Sequence, residues 1–324
     1  MITMEHVCKS YKIAKRNAGL QEAFRSFFHR EYEVIHALDD VSFTIRDGEM
    51  VGYIGPNGAG KSSTIKILSG ILTPDSGTVL VDGRIPYENR MKHVKEIGVV
   101  FGQRSQLWWD VPVIDSFELL KDIYSIPNPQ YQQSLNELTE LLNLEELLRS
   151  PARQLSLGQR MRCEIAASLL HRPKILFLDE PTIGLDAVSK ITVREFILKQ
   201  NQMFGTTVIL TTHDMQDIEA LASRIILIGK GKILLDGTLE DIKKAAEGRT
   251  ALERKGFAAG RNMTGERTAA EGGNVSEART DLKNKAAEKK YRLADGKTVR
   301  GQDAERIGKT IDETIAELYR SYDI

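Results

Sequence analysis

The chain has 324 residues, a hydrophobic content of 41% and a formal net charge of zero. This length predicts one large domain or two, and the hydrophobic content is enough for a globular core. A chain without net charge gives no indication of a nucleic-acid partner. Since no apolar run approaches the roughly 20 residues that a membrane helix needs, we expect a chain that does not span a bilayer by itself.

The only two cysteines, Cys8 and Cys163, lie in segments that we interpret as buried. Two thiols do not make a disulfide framework, and free thiols are typical of a reducing cytosol. The N-terminal segment is strand-like and contains Glu5, His6 and Lys9, so we expect no signal peptide.

Residues 1–11 and 38–46 predict two strands, which are separated by an insertion at 12–36. Apolar residues at helical spacing predict a short amphipathic helix over 20–32. Two interpretations stay open: the helix covers part of its own core, or it contacts a membrane partner or the lipid surface. The residues at this spacing are Leu20, Phe24, Phe27, Phe28 and Tyr32.

A glycine-rich stretch follows the apolar residues 50–54 and precedes a helical pattern over 63–71. It fits the phosphate-binding pattern G-x-x-x-x-G-K-[ST], in which glycines let backbone N–H groups surround phosphate oxygens. Lys61 can reach the outer phosphates, and the Ser62 hydroxyl can ligate Mg²⁺. The alternative is a glycine turn without a ligand. The stretch consists of Gly55, Pro56, Asn57, Gly58, Ala59, Gly60, Lys61, Ser62 and Ser63.

Downstream, apolar strand patterns alternate with helical ones, which is typical of a mostly parallel α/β sheet. The predicted strands are 78–81, 97–101, 174–178, 207–211, 224–228 and 232–235, and the predicted helices are 115–125, 130–149, 157–170 and 189–203.

Asp179 and Glu180 directly follow the buried strand predicted at 174–178. Beside a phosphate loop, Asp179 can hold Mg²⁺ through its water shell as the partner of Ser62. Glu180 can orient or deprotonate an attacking water. The alternative is an ordinary strand exit that carries two acids.

Ser156 and Gly158 stand at the start of a predicted helix, within the sequence from Leu155 to Gln159. A hydroxyl and free N–H groups at a helix start make an anion site. The alternative is a capped helix N-terminus without a ligand.

The order of these motifs strongly resembles the nucleotide-binding subunit of ABC transporters over residues 1–242. The resemblance implies a P-loop NTPase core of the ABC ATPase type, an α/β fold with an antiparallel β subdomain and a helical subdomain at about 104–172. It implies ATP and Mg²⁺ as cofactors. The residues that carry it are Gly55 to Ser63, Gln103, Leu155 to Gln159, Leu178 to Pro181, Gly184 to Asp186 and His213.

Within one site, the resemblance implies that Tyr11 stacks on adenine, with strand-end packing as the alternative for this side chain. Gln103 would sense the γ-phosphate and Mg²⁺ and serve as a metal ligand. His213 would contact the γ-phosphate as a switch, beside Lys61 and Glu180 as the other catalytic residues.

Between sites, the resemblance implies a head-to-tail homodimer, or a heterodimer with a paralogue. Ser156, Gly158 and Gln159 would close on the ATP bound by the other subunit. Asp186 would lie at the subunit contact.

A narrower resemblance, carried by the 20–32 helix and the stretch from Phe101 to Asp110, is to the ATPases of multidrug-type ABC exporters. These include the daunorubicin-resistance and viologen-exporter groups. It implies integral-membrane permease subunits encoded separately, and a peripheral location on the cytoplasmic face of the cell membrane. Trp108 and Trp109 would face those subunits, and the alternative for both rings is core packing.

Past residue 242 the composition changes: residues 243–306 hold 16 Lys and Arg against 10 Asp and Glu, and few large apolar residues. Such a segment buries too little surface to offset its ordering entropy, so we expect a loosely structured, charged tail. Helical spacing returns at 307–324 and predicts a C-terminal helix.

The favoured hypothesis is an ATP-hydrolysing motor of an exporter. The alternative is a soluble ABC ATPase without a membrane partner, such as a translation or DNA-repair factor. Those factors usually carry two such domains or a long coiled coil, and neither is visible here. A catalytically dead regulator is disfavoured because Lys61, Asp179, Glu180 and His213 are intact.

Overall fold

A computed structural model describes residues 1–14, 32–102, 104–242, 244, 290–292, 298–300, 313, 315–316, 319 and 322. The chain divides into two compact units, Met1–Leu239 and Glu240–Ile324. Among the described residues, no helix combines the length and apolar character needed to cross a membrane.

The first unit alternates strands and helices, which confirms the predicted α/β class. Its strands are β1 (Ile2–Ala14), β2 (Tyr32–Ile45), β3 (Met50–Ile54), β4 (Ser76–Val81), β5 (Ile97–Phe101), β6 (Ile175–Asp179), β7 (Thr207–Thr211), β8 (Arg224–Gly229) and β9 (Lys232–Gly237). Its helices are α1 (Lys61–Leu68), α2 (Arg90–His93), α3 (Val113–Tyr124), α4 (Asn128–Leu142), a 3₁₀ turn (Ala152–Gln154), α5 (Leu157–Leu169), α6 (Ala187–Phe204) and α7 (Met215–Leu221).

The central sheet has the strand order β5-β6-β7-β3-β8-β9, and its strands run parallel except for β9. Strand β6 is apolar throughout its interior because helices cover both faces of a parallel sheet, and Leu176, Phe177 and Leu178 are fully buried. Each such side chain contributes about 1.5–3 kcal/mol of burial free energy. The carboxyl ends of β3, β6 and β7 therefore meet at one edge of a rigid sheet.

A second sheet is antiparallel and has the strand order β2-β1-β4, as expected for the antiparallel subdomain. Ile2 pairs with Ile45 on one side and with Val81 on the other. Its buried side chains join those of the central sheet and of α1 in one hydrophobic core. This shared core anchors the start of α1 relative to both sheets.

Strands β1 and β2 are longer than predicted. Tyr11 pairs with Ile35, and Ala14 pairs with Tyr32. Both ends of the predicted insertion are therefore strand, and Tyr32 starts β2 instead of belonging to an amphipathic helix. Antiparallel pairing satisfies the backbone of both segments, and a periodicity argument cannot detect such a long-range partner. Residues 15–31, where the rest of that helix was predicted, lie outside the described residues.

Helix α4 ends at Leu142, so the predicted helix over 130–149 is wrong in its last turns. Asn143 follows with a φ of +51°, the left-handed conformation that ends many helices. The sequence also failed to indicate α2 and α7, which have 4 and 7 residues. Such helices are too short for their periodicity to be detected.

The second unit contains an antiparallel hairpin of β10 (Lys290–Arg292) and β11 (Thr298–Arg300). These six residues lie within the segment 243–306, for which a loosely structured tail stays a prediction. Residues 313, 315, 316 and 319 are helical, within the segment predicted as a C-terminal helix. The other residues of both predicted segments, apart from 244 and 322, lie outside the described part of the chain.

Candidate functional site

The phosphate loop connects the end of β3 to the start of α1. Gly60, the residue before α1, has a φ of +113°. A Cβ atom at this position would lie 2.4 Å from the carbonyl oxygen of Ala37 in β2. Only glycine therefore allows the loop to turn while it packs against the antiparallel sheet.

Lys61 is folded back over the phosphate loop. Its side chain is only 7% exposed, and Nζ donates to the carbonyl oxygens of Gly55 at 2.6 Å and Pro56 at 3.1 Å. Burial lowers the pKa of the ammonium group, and the nearby carboxylates of Glu180 and Asp179 partly oppose this shift. The cation is thus held by backbone carbonyls at the acidic end of the site.

Asp179, the last residue of β6, lies opposite the phosphate loop. Its Oδ1 accepts a hydrogen bond from Thr211 Oγ1 at 2.6 Å and lies 3.5 Å from Ser62 Oγ. Thr211 was not identified from the sequence as a site residue. Its position at the end of the predicted strand 207–211 places it at the same sheet edge as Asp179.

The oxygen atoms of Ser62 and Asp179 are the hard ligands that Mg²⁺ prefers. Within the described ranges, no group of three or more His, Cys, Asp or Glu side chains forms a metal site. A pair of protein oxygens fits Mg²⁺, which commonly uses one or two carboxylates together with water and substrate phosphates. Gln103, the other predicted ligand, lies outside the described residues.

Glu180 has a φ of +55°, the left-handed conformation, which costs about 1–3 kcal/mol for a residue other than glycine. Its backbone N–H donates to the carbonyl oxygen of Thr211 at 2.9 Å and to Thr211 Oγ1 at 3.2 Å, and these bonds offset part of that cost. The carboxylate Oε1 lies 3.5 Å from Nδ1 of His213. The strained turn thus directs the carboxylate towards the imidazole.

Part of the phosphate loop lines one cleft together with Asp179, Glu180 and His213. The cleft has a volume of about 780 Å³, within the size range of small-molecule sites. The sequence singled out some of its residues and missed others, among them the cations Lys66 and Arg104. The residues that line it are Gly55, Pro56, Asn57, Ser62, Lys66, Ile71, Phe101, Gly102, Arg104, Asp179, Glu180, Ile183 and His213.

Tyr11 lies beside the end of the phosphate loop. Its hydroxyl is 3.4 Å from Ser63 Oγ, and the side chain is half-buried. It does not belong to the residues that line the cleft, so adenine stacking by this ring stays a prediction.

The predicted signature residues lie together at the start of α5, and none of them is among the residues that line the cleft. Ser156 caps α5: its Oγ accepts from the N–H of Gln159 at 3.2 Å, and Gln159 Oε1 accepts from the N–H of Ser156 at 2.9 Å. Gly158 packs against the start of α6, because a Cβ there would lie 2.3 Å from Ser189 Oγ. The helix cap expected as the alternative therefore exists.

Asp186 is the N-cap of α6. It accepts from the N–H and the hydroxyl of Ser189 at 2.9 and 2.7 Å, and these bonds hold the pKa of its carboxyl below the usual value. The loop before α6 and the start of α5 thus form one surface.

Trp108 and Trp109 are 59% and 51% exposed, so the alternative of core packing is wrong for both rings. The Arg160 guanidinium lies 5.6 Å from the centre of the Trp109 ring. Of the two cysteines, Cys163 is buried as predicted, whereas Cys8 is only half-buried.

A family model described as ABC transporter matches residues 38–183. The probable multidrug ABC transporter ATP-binding protein YbhF of Escherichia coli is 36% identical over 209 residues, which cover 64% of this chain and 35% of that protein. The ABC transporter ATP-binding protein NatA of Bacillus subtilis is 31% identical over 217 residues, 66% of this chain and 87% of NatA. The match thus spans about a third of YbhF but most of NatA.

Import proteins match as well: the methionine import ATP-binding protein MetN of Geobacillus kaustophilus is 33% identical over 241 residues, 73% of this chain and 65% of MetN. Among solved structures, the dimeric structure of MJ0796, a bacterial ABC transporter cassette, has a TM-score of 0.62 and 28% identity. That match covers 74% of this chain and 98% of the cassette.

Proposed function

The chain belongs to the ABC transporter ATP-binding family, whose members are ATPases, and from this premise we propose that it is the ATP-hydrolysing motor subunit of a membrane transporter. The observation that carries the proposal is the one cleft in which the phosphate loop meets Asp179, Glu180 and His213.

Each group has a defined task in this proposal. Lys61 and the loop N–H groups bind the phosphates of ATP. Ser62 and Asp179, with Gln103 by resemblance, would hold Mg²⁺, which when bound neutralises phosphate charge. Glu180 would orient the attacking water and accept its proton, and His213, which lines the same cleft, would contact the γ-phosphate.

The proposal includes a head-to-tail dimer, of two copies or with a paralogue. Ser156, Gly158 and Gln159 are absent from the lining of their own chain's cleft. They share a surface with Asp186, through the contact of Gly158 with Ser189. In a dimer this surface completes the partner's ATP site.

We infer that the motor serves an exporter with separately encoded permease subunits and lies peripherally on the cytoplasmic face of the membrane. Two observations support this inference. Trp108 and Trp109 are exposed in the region expected to meet such subunits, and YbhF is named as a probable multidrug transporter protein. The methionine import protein MetN is a counterexample among the relatives. A transport assay with the permease subunits distinguishes export from import.

The experiment is the release of inorganic phosphate from ATP by the purified full chain, with and without Mg²⁺. Lys61→Met should abolish the activity, whereas the exposed Lys92→Met serves as the matched control and should retain it. A parent protein that releases no phosphate, or a Lys61→Met variant as active as the parent, would contradict the proposal.

A further inference from the structure

A fully buried carboxylate, Asp217 on α7, joins two loops beside the cleft. Its Oδ2 accepts hydrogen bonds from the hydroxyl of Thr182 and, at 3.2 Å, from the hydroxyl of Thr212. Thr182 follows Glu180 by two residues, and Thr212 immediately precedes His213. One oxygen atom thus bonds both loops that carry the proposed catalytic side chains.

The other oxygen of Asp217, Oδ1, accepts a hydrogen bond from Nε of Arg194 on α6 at 2.5 Å, and Nη2 of Arg194 forms an ion pair with it at 2.5 Å without a hydrogen bond. Nη2 of Arg194 also lies 3.6 Å from Asp214, which in turn contacts Lys190 at 2.5 Å. Burial alone would raise the pKa of Asp214, but hydrogen bonds from Lys190 and from the N–H of Gln216 outweigh it and lower the pKa. The two carboxylates and two cations therefore form a charge-balanced network.

Burying a carboxylate completely is costly unless its charge is paired and its oxygens are hydrogen-bonded. Asp217 meets both conditions, and its two threonine partners are each only 2% exposed. Because water cannot reach these hydroxyl groups freely, a displacement of either loop breaks a bond that solvent does not replace. The carboxylate is therefore a stiff connection between the loops.

Building on the proposed function, we propose that Asp217 is a positioning residue for ATP hydrolysis. It keeps the loop 180–186 in register with the loop 212–214, so that Oε1 of Glu180 and Nδ1 of His213 stay 3.5 Å apart. The first loop ends at Asp186, on the proposed subunit contact. A displacement of Asp186 at that contact would therefore be transmitted through Asp217 to the loop that carries His213.

The test uses Thr182→Val, which keeps the shape of the side chain and removes only the hydroxyl that reaches Asp217. We expect kcat to fall roughly ten- to hundredfold, the range for misplaced catalytic groups, while KM and ATP affinity stay near the parental values. Thr182→Ser restores the hydroxyl and should recover most of the rate. Thr192→Val on α6 is the matched control, because the Thr192 hydroxyl donates to the carbonyl oxygen of Val188 within the same helix. Its kcat should equal that of the parent.

A structural role through packing predicts the reverse order, with valine tolerated and serine impaired. If Thr182→Val lowers the melting temperature, Thr212→Val and Thr212→Ser carry the test from the other loop. Serine keeps the hydroxyl, which also accepts from the N–H of Asp214 at 2.9 Å. Because either valine change breaks the same connection, the double variant should be about as slow as the slower single variant. The inference would be overturned if the reduction in kcat of the double variant were the product of the two single reductions. Parental turnover in Thr182→Val would overturn it as well.

These results also separate the inference from the proposed function. If the parent hydrolyses ATP, Lys61→Met does not, and Thr182→Val matches the parent, only the role of Asp217 fails. If the parent releases no phosphate at all, both fail together.

Discussion

The backbone N–H of Gln106 donates a 2.9 Å hydrogen bond to the carboxylate of Glu164, across 58 residues of the chain. The hydroxyl of Ser105 donates to the same carboxylate. Glu164 is only 4% exposed. Burial raises the pKa of its carboxyl, against the lowering effect of these hydrogen bonds. The loop that follows β5 is thereby fastened to α5, the helix that begins at the Ser156 cap.

Replacement of this carboxylate should destabilise the fold. Glu164→Ala removes the acceptor of the Gln106 N–H, which costs about 1–3 kcal/mol for a group left without a partner. The Ser105 hydroxyl loses one of its two acceptors and keeps the carbonyl oxygen of Leu107 at 3.2 Å. Glu164→Gln keeps one acceptor oxygen, so its free energy of unfolding should fall less than that of Glu164→Ala. Urea unfolding of the full chain measures both, with the exposed Glu145→Ala as control. Equal stability of Glu164→Ala and Glu145→Ala would contradict the assignment.

His171 should make the stability of the fold dependent on pH. Its ring stacks on Tyr124 with centroids 4.1 Å apart, its Nε2 lies 2.9 Å from the carbonyl oxygen of Ile97, and burial lowers its pKa to about 4. The unfolded chain takes up this proton near its ordinary pKa of 6.5, whereas the folded chain resists it. The stabilisation is therefore complete above about pH 6.5 and is lost as the pH falls towards about 4.

For this one group, the loss between about pH 7 and about pH 5 is about 2 kcal/mol. His171→Phe keeps an aromatic ring on Tyr124 but cannot be protonated, so its stability should fall less over that interval. Urea unfolding at both pH values provides the comparison. An identical pH dependence in parent and variant would show that His171 does not carry the effect.

The sequence predicted the strand, turn and helix of the phosphate loop because glycine spacing and apolar periodicity are local signals. It did not predict the bonds of Asp179 to Thr211 or of Asp217 to Thr182, which join residues 32 and 35 positions apart. Those contacts depend on the order of the strands in the sheet. In the same way, the length of β1 and β2 follows from their mutual pairing, which neither segment reveals alone.

The signature surface should control dimer formation. Ser156→Arg adds bulk and charge where the partner's ATP would bind, and it leaves Lys61 and the phosphate loop unchanged. In a Glu180→Gln background, we expect ATP to produce a dimer in sedimentation velocity, and Ser156→Arg to remain a monomer that still binds ATP.

Ser156→Thr is the matched control for that experiment, since threonine preserves the helix cap whose loss would cost about 1 kcal/mol. It should dimerise like the parent. A dimer that persists in Ser156→Arg would exclude this surface from the interface.

The exposed tryptophans should contribute to membrane attachment and not to catalysis. Trp108→Ala combined with Trp109→Ala removes two large rings that are more than half exposed, and buried aromatic residues often dominate interface energies. With the permease subunits present, we expect the variant to move from the membrane fraction to the supernatant while basal ATP hydrolysis is unchanged. Met203→Ala, which truncates a side chain that is 64% exposed, is the control. Undiminished membrane association of the double variant would place the docking surface elsewhere.

Glu180 should act as the general base of ATP hydrolysis, and assays of ATP binding and turnover by Glu180→Gln measure this role. The amide keeps the shape of the carboxylate but cannot accept a proton from water, so ATP should bind with parental affinity. Turnover should fall roughly 100-fold or more, as expected for the loss of a general base. The exposed Glu219→Gln on α7 should match the parent in both assays. If Glu180→Gln hydrolyses ATP at nearly the parental rate, Glu180 is not the base, and His213 becomes the leading candidate.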